Sequence, residues 1–316
     1  MPTSKWHLKA VIQKTISWLP YSQSVNFFFQ KYVTKGVQLS DDYFTDRLQH
    51  AAHHIDGYMT YIRKKEINHK MAHTLEIGTG WYPVVPVAMY LCGATQINTL
   101  DISSLMTRPN LITTLKKYQQ YADQNLLTPY INPLPERLAK LSELLLESPL
   151  LTLEQLLNRL QIRYLVADAR QLPLPDGSID LIHSNNTFEH IYPNLLLPIL
   201  KELKRVARPI SALQSHAIDM SDHFAHLDNT ITIYNFLQFT NRQWAWIDND
   251  IQPQSRLRYS DYLKLFDQAQ LSVVDSTYRP GDIAQVKALR LAAPYDSYNT
   301  QDLAISHCHI YSTPNN

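Results

Sequence analysis

Glycine and carboxylate side chains occur together in one short part of the chain. Glu76, Gly78 and Gly80 follow an apolar run, and Asp101 stands 21 residues after Gly80, at the end of the next apolar run. Glycine has no Cβ atom, so the chain can turn tightly and a ligand can approach the backbone closely. A carboxylate at the position of Asp101 can accept hydrogen bonds from both hydroxyls of a ribose. The spacing therefore predicts a nucleoside-binding turn.

Two residues of this stretch indicate which kind of nucleoside ligand the turn binds. Pro83 stands where dinucleotide-binding proteins have a third small residue, and proline suits the first turn of a helix instead. Glu76 would repel a pyrophosphate, but it tolerates a ligand that carries an amino group and a positively charged sulfur. Electrostatics therefore favours a cationic nucleoside over an anionic dinucleotide.

The segments around the turn alternate between short apolar strands and helices. We predict helices for PVVPVAMYL and LLPILKELKRVAR, and strands for TLEIG, INTLDIS, RYLVAD, IDLIHSN, ISALQSHAID, LSVVDSTY and AISHCHIY. Such alternation indicates a parallel sheet that helices cover on both faces. The predicted fold class is α/β, with a Rossmann-like, doubly wound and mostly parallel sheet.

Four motifs between about residues 73 and 215 resemble those of class I S-adenosylmethionine-dependent methyltransferases, in the same order. The stretch from Glu76 to Gly80 matches the first motif, and Asp101 matches the ribose-binding acid. The segment 166–169 resembles the one in which an aspartate and the following backbone N–H read adenine. The segment 179–185, followed by Phe188-Glu189-His190, resembles the motif beside the methyl donor. The resemblance implies S-adenosylmethionine as the cofactor.

We expect this cofactor to contact nine residues, namely Glu76, Gly78, Thr79, Gly80, Asp101, Ile102, Asp168, Ala169 and Asn185. The chain departs from the family pattern in three places. Trp81-Tyr82-Pro83 stands where the third glycine would be, Arg208-Pro209-Ile210 replaces the usual Pro-Gly-Gly, and the gap from Asp101 to Asp168 is wide.

The chain divides into a helical N-terminal cap, residues 1–70, and a methyltransferase domain, residues 71–316. Leu8, Val11, Ile12 and Ile16 recur at helical spacing, and Pro20 ends that segment. Residues 1–40 contain five lysines and no acid. We expect this cap to pack its aromatic residues on the main domain. The alternative is a segment that rests on anionic lipid.

Residues 105–160 are leucine-rich with helical period and are broken at Pro149. This length exceeds that of a single crossover, so we predict a helical insertion within the domain. The insertion is either a lid over the cofactor or a packing element.

Polar and aromatic side chains crowd into residues 216–260, directly after the fifth strand. A pocket for a polar acceptor requires this mixture, whereas core packing does not. Three interpretations remain open: a solvated loop, an acceptor site with a histidine base, or a divalent cation held by Asp219, Asp222, His223 and His226. We assign no metal ligand.

Methyl transfer to a hydroxyl benefits from a base, and histidine serves best near neutral pH. We expect His216, nearest the strand end, to be this base, with His223 and His190 as the other candidates. The residues expected to bind the acceptor are Asp219, Asp222, His226, Asn235, Arg256 and Arg258.

The overall composition limits the classes of partner. The net charge of +1 gives no reason to expect nucleic acid, and two distant cysteines fit a reducing cytoplasm. We predict transfer of a methyl group to oxygen, with nitrogen second, of a small polar metabolite such as a sugar or natural product. The alternatives are a lipid-linked or quinone-like acceptor at the membrane surface and a catalytically silent scaffold. The sequence leaves the oligomeric state open.

Overall fold

The structure is a computed structural model that describes residues 5–17, 38–68, 70–250 and 252–315. Over these residues a single sheet has the strand order β3-β2-β1-β4-β5-β7-β6, and only β7 runs antiparallel to its neighbours. The prediction of a mostly parallel α/β sheet is confirmed. The strands are β1 His73–Ile77, β2 Gln96–Asp101, β3 Ile162–Val166, β4 Leu181–Asn185, β5 Leu213–Asp219, β6 Leu271–Arg279 and β7 His307–Pro314.

Helices cover both faces of this sheet. They are α1 Lys5–Ser17, α2 Asp41–Lys64, α3 Val84–Leu91, α4 Arg108–Asp123, α5 Pro135–Glu147, α6 Leu153–Arg159, α7 Pro193–Val206, α8 Asn241–Ile247, α9 Tyr259–Gln268, α10 Ile283–Lys287 and α11 Thr300–Ala304. Short 3₁₀ turns lie at Ser148–Leu150, Phe188–His190, His223–His226, Asn235–Gln238 and Tyr295–Ser297. None of the described helices is long and apolar enough to cross a membrane.

The order of the strands fixes where a ligand can bind. β1 pairs with β2 on one side and with β4 on the other. The segment that follows β1 therefore leads to β2 on one side, and the chain returns to the other side of β1 only with β4. The loops after β1 and β4 then diverge and leave a crevice at the carboxyl ends of these strands. Gly78 directly follows β1, and Asn185 is the last residue of β4.

Helix α3 has no polar face and is buried on all sides, which explains its short apolar sequence VVPVAMYL. Helix α2 packs against it and against β4 and β5. Ser40 caps the N-terminus of α2, because its side-chain oxygen accepts a hydrogen bond from Tyr43 N at 3.1 Å. Its core-facing stripe is formed by Phe44, Leu48, Ala51, His54, Tyr58 and Ile62.

Helix α1 forms as predicted but buries a different face from the one expected. Leu8 and Val11 are 57 % and 63 % exposed, whereas Trp6 and Ala10 are buried. A polar contact holds this face against the rest of the protein, since Trp6 N donates a hydrogen bond to Asp228 Oδ2 at 3.0 Å. Trp18 and Phe27-Phe28-Phe29 lie outside the described residues, so the contact of residues 1–40 with lipid stays a prediction.

The insertion at residues 105–160 contains α4, α5 and α6, and a 3₁₀ turn stands at the expected break, Pro149. Its buried side chains, among them Leu111, Leu115, Leu141 and Leu156, belong to the same core cluster as those of α2 and α3. A helix whose side chains form part of the main core can move away only if the packing of that core is disrupted. The insertion is therefore a packing element rather than a lid.

We expect hydrogen exchange in α4–α6 to change by less than about twofold when S-adenosylhomocysteine binds, because their amides are already protected by core packing. Exchange at residues 78–80 and 101–103 should slow in the same experiment, which serves as the internal control. Slowing in α4–α6 comparable to that at the turn would restore the lid interpretation. The measurement is hydrogen–deuterium exchange with and without S-adenosylhomocysteine.

Candidate active site

Two glycines of the turn after β1 have positive φ for different reasons. Gly78 has φ +87°, and a Cβ atom there would lie 2.3 Å from Thr187 Oγ1, so only glycine lets the turn pack on the loop after β4. Gly80 has φ +67°, and a Cβ atom there would meet no atom of the described residues within 4 Å. Gly80 therefore exposes its backbone to open space that a ligand can enter.

Two cavities meet in front of this turn. One, of about 470 Å³, extends towards β3. The other, of about 280 Å³, extends towards α2. We call them the β3-side cavity and the α2-side cavity. Four residues line both: Gly78, Asp101, Thr187 and His190. The two cavities therefore form one bent crevice at the point where the strand order reverses, the usual ligand site of such sheets.

The carboxylate of Asp101 is held at the rim between the two cavities. Its Oδ2 accepts a hydrogen bond from Gly80 N at 3.0 Å, and its Oδ1 accepts one from Ser103 N at 3.3 Å. Burial raises the pKa of Asp101, and the Gly80 N–H counteracts this effect. Backbone donors thus fix the carboxylate at the rim while its remaining lone pairs can accept ribose hydroxyls.

The β3-side cavity combines an apolar wall with an acid. Ile102 is 73 % exposed and lines it together with Ile191, which offers an apolar surface to an aromatic base. Asp168 lies in the same cavity, and its hydrogen bonds from Arg170 lower its pKa to about 2. The ionised carboxylate can accept a hydrogen bond from an exocyclic amino group, next to the backbone of Ala169.

The α2-side cavity contains a buried acid, Glu76. Its side-chain Oε2 accepts a hydrogen bond from Thr99 Oγ1 at 2.7 Å. Burial raises the pKa of Glu76 to about 8, although the Thr99 hydroxyl acts in the opposite direction. An ammonium group beside Glu76 would favour the carboxylate and lower this pKa again.

A chain of hydrogen bonds orients Asn185 in the same cavity. His54 Nε2 lies 2.8 Å from Asn185 Oδ1, His54 Nδ1 lies 2.7 Å from Ser215 Oγ, and Ser215 Oγ lies 2.8 Å from His309 Nε2. Because His54 Nε2–H donates to Asn185, its Nδ1 must accept from the serine hydroxyl. The Nδ2 group of Asn185 is buried and has no partner among the described residues. It is therefore available to donate to a ligand.

Helix α2 contributes a cation that the sequence motifs do not indicate. Arg47 lines the α2-side cavity, and its guanidinium carbon lies 5.1 Å from the ring centroid of Tyr43, which also lines it. Arg47 Nε lies 3.6 Å from Asp46 Oδ2. A tyrosine and an arginine four residues apart share one face of a helix. Nothing in their spacing, however, connects them with the glycine turn.

These groups fit an amino acid joined to a nucleoside, as in S-adenosylmethionine. The acid Glu76 suits the ammonium group, and the donors Arg47 and Asn185 suit the carboxylate. All nine residues expected at the cofactor line one of the two cavities. Their individual contacts with the cofactor stay predictions. Leu105 is the one residue of the segment 105–160 among the described lining residues.

His190, His223 and Asp219 lie together next to the crevice. The ring centroids of His190 and His223 are 5.0 Å apart, and His223 Nε2 lies 3.6 Å from Asp219 Oδ2. Burial of Asp219 alone would raise its pKa, but His223 and His307 hold that pKa below its usual value. The structure thus joins two of the three candidate bases and one expected acceptor ligand.

A set of possible metal ligands also includes His190, but it differs from the set considered from the sequence. Among the described residues, one carboxylate oxygen of Glu189 and one ring nitrogen each of His190 and His223 lie within 4.8 Å of one another. Both Glu189 oxygens are buried without a hydrogen-bond partner in the described part of the chain. Asp222 instead accepts hydrogen bonds from Phe224 N and Asn235 Nδ2.

His216 lies inside the sheet rather than at its edge. β5 ends at Asp219, as the predicted strand ISALQSHAID does, so His216 lies within the strand rather than at its end and is fully buried. Its ring stacks on Phe188 at 4.4 Å, and its Nδ1 lies 2.8 Å from Ser184 Oγ. Because His216 reaches neither cavity, a role as base does not fit its position.

Three other residues expected at the acceptor have structural partners instead. Arg258 is fully buried and donates to Met220 O and two further carbonyls. Arg256 donates to Phe236 O and Phe239 O. Asn235 donates to Asp222, as described above. His226 lines a separate cavity of about 490 Å³.

A larger cavity of about 780 Å³ lies between α9, the end of β6 and residues 297–305. None of the motif residues of the crevice lines it. Its size alone therefore does not make it the active site.

Comparison with known proteins agrees with this geometry. A family model described as a methyltransferase domain matches residues 132–213, from the insertion to the start of β5. The matched part includes Asp168, Asn185 and His190, while the glycine turn and Asp101 precede it. With the motifs and the sheet that carries them, this match confirms the prediction of a class I S-adenosylmethionine-dependent methyltransferase. No curated protein matches the chain by sequence.

Solved structures share the general architecture at low identity. A 1,6-didemethyltoxoflavin-N1-methyltransferase from Burkholderia thailandensis, solved with S-adenosylhomocysteine, is 11 % identical with TM-score 0.46, over 100 % of this chain and 93 % of that one. A putative sarcosine dimethylglycine methyltransferase from Galdieria sulphuraria is 15 % identical with TM-score 0.41, over 81 % and 83 % of the two chains. Likeness at this level says nothing about the acceptor.

We expect the affinity for S-adenosylhomocysteine to rise between pH 6 and pH 8, by up to about tenfold per pH unit. Glu76 is mostly protonated below pH 8 in the free protein, and pairing with the ligand's ammonium requires the carboxylate, so binding releases a proton. Isothermal titration calorimetry in buffers of different ionisation enthalpy measures both the affinity and the number of protons released on binding. Glu76→Gln should remove the pH dependence, and Glu136→Gln, an exposed acid on α5, should retain it. An affinity of the native protein that is independent of pH would contradict this role of Glu76.

Proposed function

We propose that this methyltransferase acts on a hydroxyl oxygen of a small polar molecule, such as a sugar or natural product, with His190 as the base. The observation that carries the proposal is the position of His190, which lines both cavities of the crevice. A side chain at this junction stands where the two parts of the cofactor would join and where the acceptor must approach.

The hydrogen bonds of His190 determine which nitrogen can take a proton. Its Nδ1 lies 2.7 Å from Pro253 O, and a carbonyl can only accept, so Nδ1 carries the hydrogen. Burial, and then His223, lower the pKa of His190 to about 4. The ring is therefore neutral at pH 7, and its Nε2 lone pair is available to a hydroxyl proton.

S-adenosylmethionine supplies a methyl group on a positively charged sulfur. The chain aligns the acceptor with that group, excludes water and takes the hydroxyl proton at His190 Nε2 as the new bond forms. The Asp219 carboxylate raises the pKa of His190, so it stabilises the imidazolium that results. Methyl transfer to a protonated amine would need the same base, so nitrogen remains the second candidate for the acceptor atom.

We expect His190→Gln to lower the methylation rate by about 10²–10⁴-fold, because it removes the basic lone pair from the junction. Its affinity for S-adenosylhomocysteine should stay within about threefold of the native value. His73→Gln is a matched control, since His73 Nδ1 also contacts a carbonyl, Ser178 O, at the opposite end of β1. Loss of rate in both variants, or in neither, would contradict the assignment.

The assay uses an isotope-labelled methyl donor with a panel of hydroxylated acceptors and matched amines, and mass spectrometry identifies the methylated atom. Methylated amines without methylated hydroxyls would contradict the proposal of an oxygen acceptor.

A second candidate mechanism rests on Glu189, His190 and His223, which could hold a divalent cation beside the same oxygen. A cation there would lower the pKa of the hydroxyl in place of a base. Under the proposal of a histidine base, we expect activity to survive dialysis against a chelator. Loss of activity that Mg²⁺ or Zn²⁺ restores, together with loss of metal binding in Glu189→Gln, would assign the role to the cation instead.

A further inference from the structure

A third cavity adjoins the cofactor crevice on the side away from β3. It has a volume of about 390 Å³ and shares Asn186 with the α2-side cavity. We call it the histidine cavity, because four histidines line it: His50, His53, His307 and His309. Its position next to the loop after β4 places it beside the cofactor crevice.

Three elements bring these side chains together. His50 and His53 are three residues apart on α2 and so share one face. His307 and His309 alternate along β7, opposite Asp219 and Ala217 of β5, and therefore point to one side of the sheet. On the other edge of β7, Arg279 at the end of β6 pairs with His307 and also lines the cavity.

Basic groups outnumber acids around this cavity. On α2, Asp46 Oδ2 lies 3.8 Å from His50 Nε2, and Arg47 acts on His50 from the neighbouring position. From β5, Asp219 Oδ1 lies 3.4 Å from His307 Nε2. Asp46 and Asp219 therefore each lie near one histidine of the cavity. Arg279 adds a positive charge from β6.

The histidines also disfavour one another's charged forms. Burial, and then Arg47, lower the pKa of His50 to about 4, and His53 and His307 add to the effect. Burial, and then His53 and His50, lower the pKa of His309 to about 3. Burial lowers the pKa of His307 against the effect of Asp219, while Arg279, His226 and His223 add to the lowering. An anion in the cavity would reverse this balance.

We propose that the histidine cavity holds the methyl acceptor, and that the acceptor carries an anionic group, a carboxylate, phosphate or sulfate, bound by Arg279 with His50 and His307. This inference rests on the proposed function, because the acceptor's hydroxyl must reach the crevice past Asn186. Arg279 and His307 also line the 490 Å³ cavity that contains His226, so a longer acceptor has room beyond the anionic group.

Two features favour an anion over a metal ion as the occupant. Among the described residues, the one set of three potential ligand atoms within 4.8 Å is Glu189, His190 and His223, so the four histidines of this cavity are too far apart. The Nδ1 of His50 is buried without a hydrogen-bond partner in the described part of the chain. A protonated imidazole there is a donor that an anion would satisfy.

The test is an NMR titration of the full chain, labelled at its histidines, with sodium sulfate. Sodium chloride at equal ionic strength is the reference. We expect saturable shifts of the His50 and His307 ring signals, titration midpoints of these rings raised by about 0.5 pH unit or more, and sulfate binding that tightens as the pH falls from 7 towards these midpoints. Sulfate keeps its charge over this range, so the pH dependence belongs to the protein. Acetate in place of sulfate tests for a preference for carboxylates.

Arg279→Gln should weaken sulfate binding by about tenfold or more, because it removes the permanent charge of the site. Arg290→Gln, an exposed arginine that lines none of these cavities, should bind sulfate as the native protein does. Equal binding in the two variants, shifts that chloride reproduces, or shifts that do not saturate would each overturn the anion site.

Sulfate binding and acceptor methylation fail independently, so the two proposals remain distinguishable. Saturable sulfate binding without any methylated hydroxyl would support the anion site and contradict oxygen methylation. Methylated hydroxyls without sulfate binding would overturn the anion site alone. Affinity of Arg279→Gln for S-adenosylhomocysteine should equal the native value, since Arg279 lines neither part of the cofactor crevice.

Discussion

The active site depends on the close contact between the turn after β1 and the loop after β4. Gly78 makes this contact possible, because any Cβ atom at this position would overlap Thr187. The Thr187 hydroxyl, which has a single hydrogen, lies 3.2 Å from Ile77 O and 3.1 Å from Asn185 O, the carbonyls of the last residues of β1 and β4. As a result, His190 stands beside the glycine turn, although more than a hundred residues separate them in the chain.

Buried polar groups connect the two ends of this site. His54, Ser215 and His309 form a hydrogen-bond chain from the histidine cavity to Asn185 in the cofactor crevice. Every link is buried, so each donor must face an acceptor, and the orientation of one ring fixes the next. An occupant that changes the hydrogen at His309 would therefore act on the amide of Asn185 through this chain.

Charge is divided between the two regions of the site. The cofactor crevice is lined by four acids and two arginines, namely Glu76, Asp101, Asp168, Asp250, Arg47 and Arg170, and this excess of acids suits a ligand with a positive sulfur and an amino acid end. The histidine cavity is lined by one acid, Asp46, and one arginine, Arg279, together with His50 and His307, whose protonated forms an anion would favour. A cationic donor and an anionic acceptor would each be attracted to its own region, and their charges would favour the approach of one towards the other.

The sequence by itself determined the sheet, the glycine turn and nine of the residues that line the cofactor crevice. The sheet, the glycine turn and Asp101 follow from local rules, namely strand and helix periodicity, the special conformations of glycine, and an acid at the end of a strand, all of which act within about thirty residues. Asp168, Ala169 and Asn185 were indicated by the resemblance to methyltransferase motifs. Each of the local features is set by neighbours along the chain, so the chain itself displays it.

Only the tertiary structure decided which polar residues reach the site. His216 and Arg258 resemble site residues in the sequence, but the sheet and the carbonyls around Met220 bury them. Arg47, His50 and His307 showed no sign of a common role, because a helix from the N-terminal part and the last strand meet only across the folded sheet. Side-chain type limits the chemistry that a residue can do, but the packing of distant elements decides whether that side chain faces a cavity or the core.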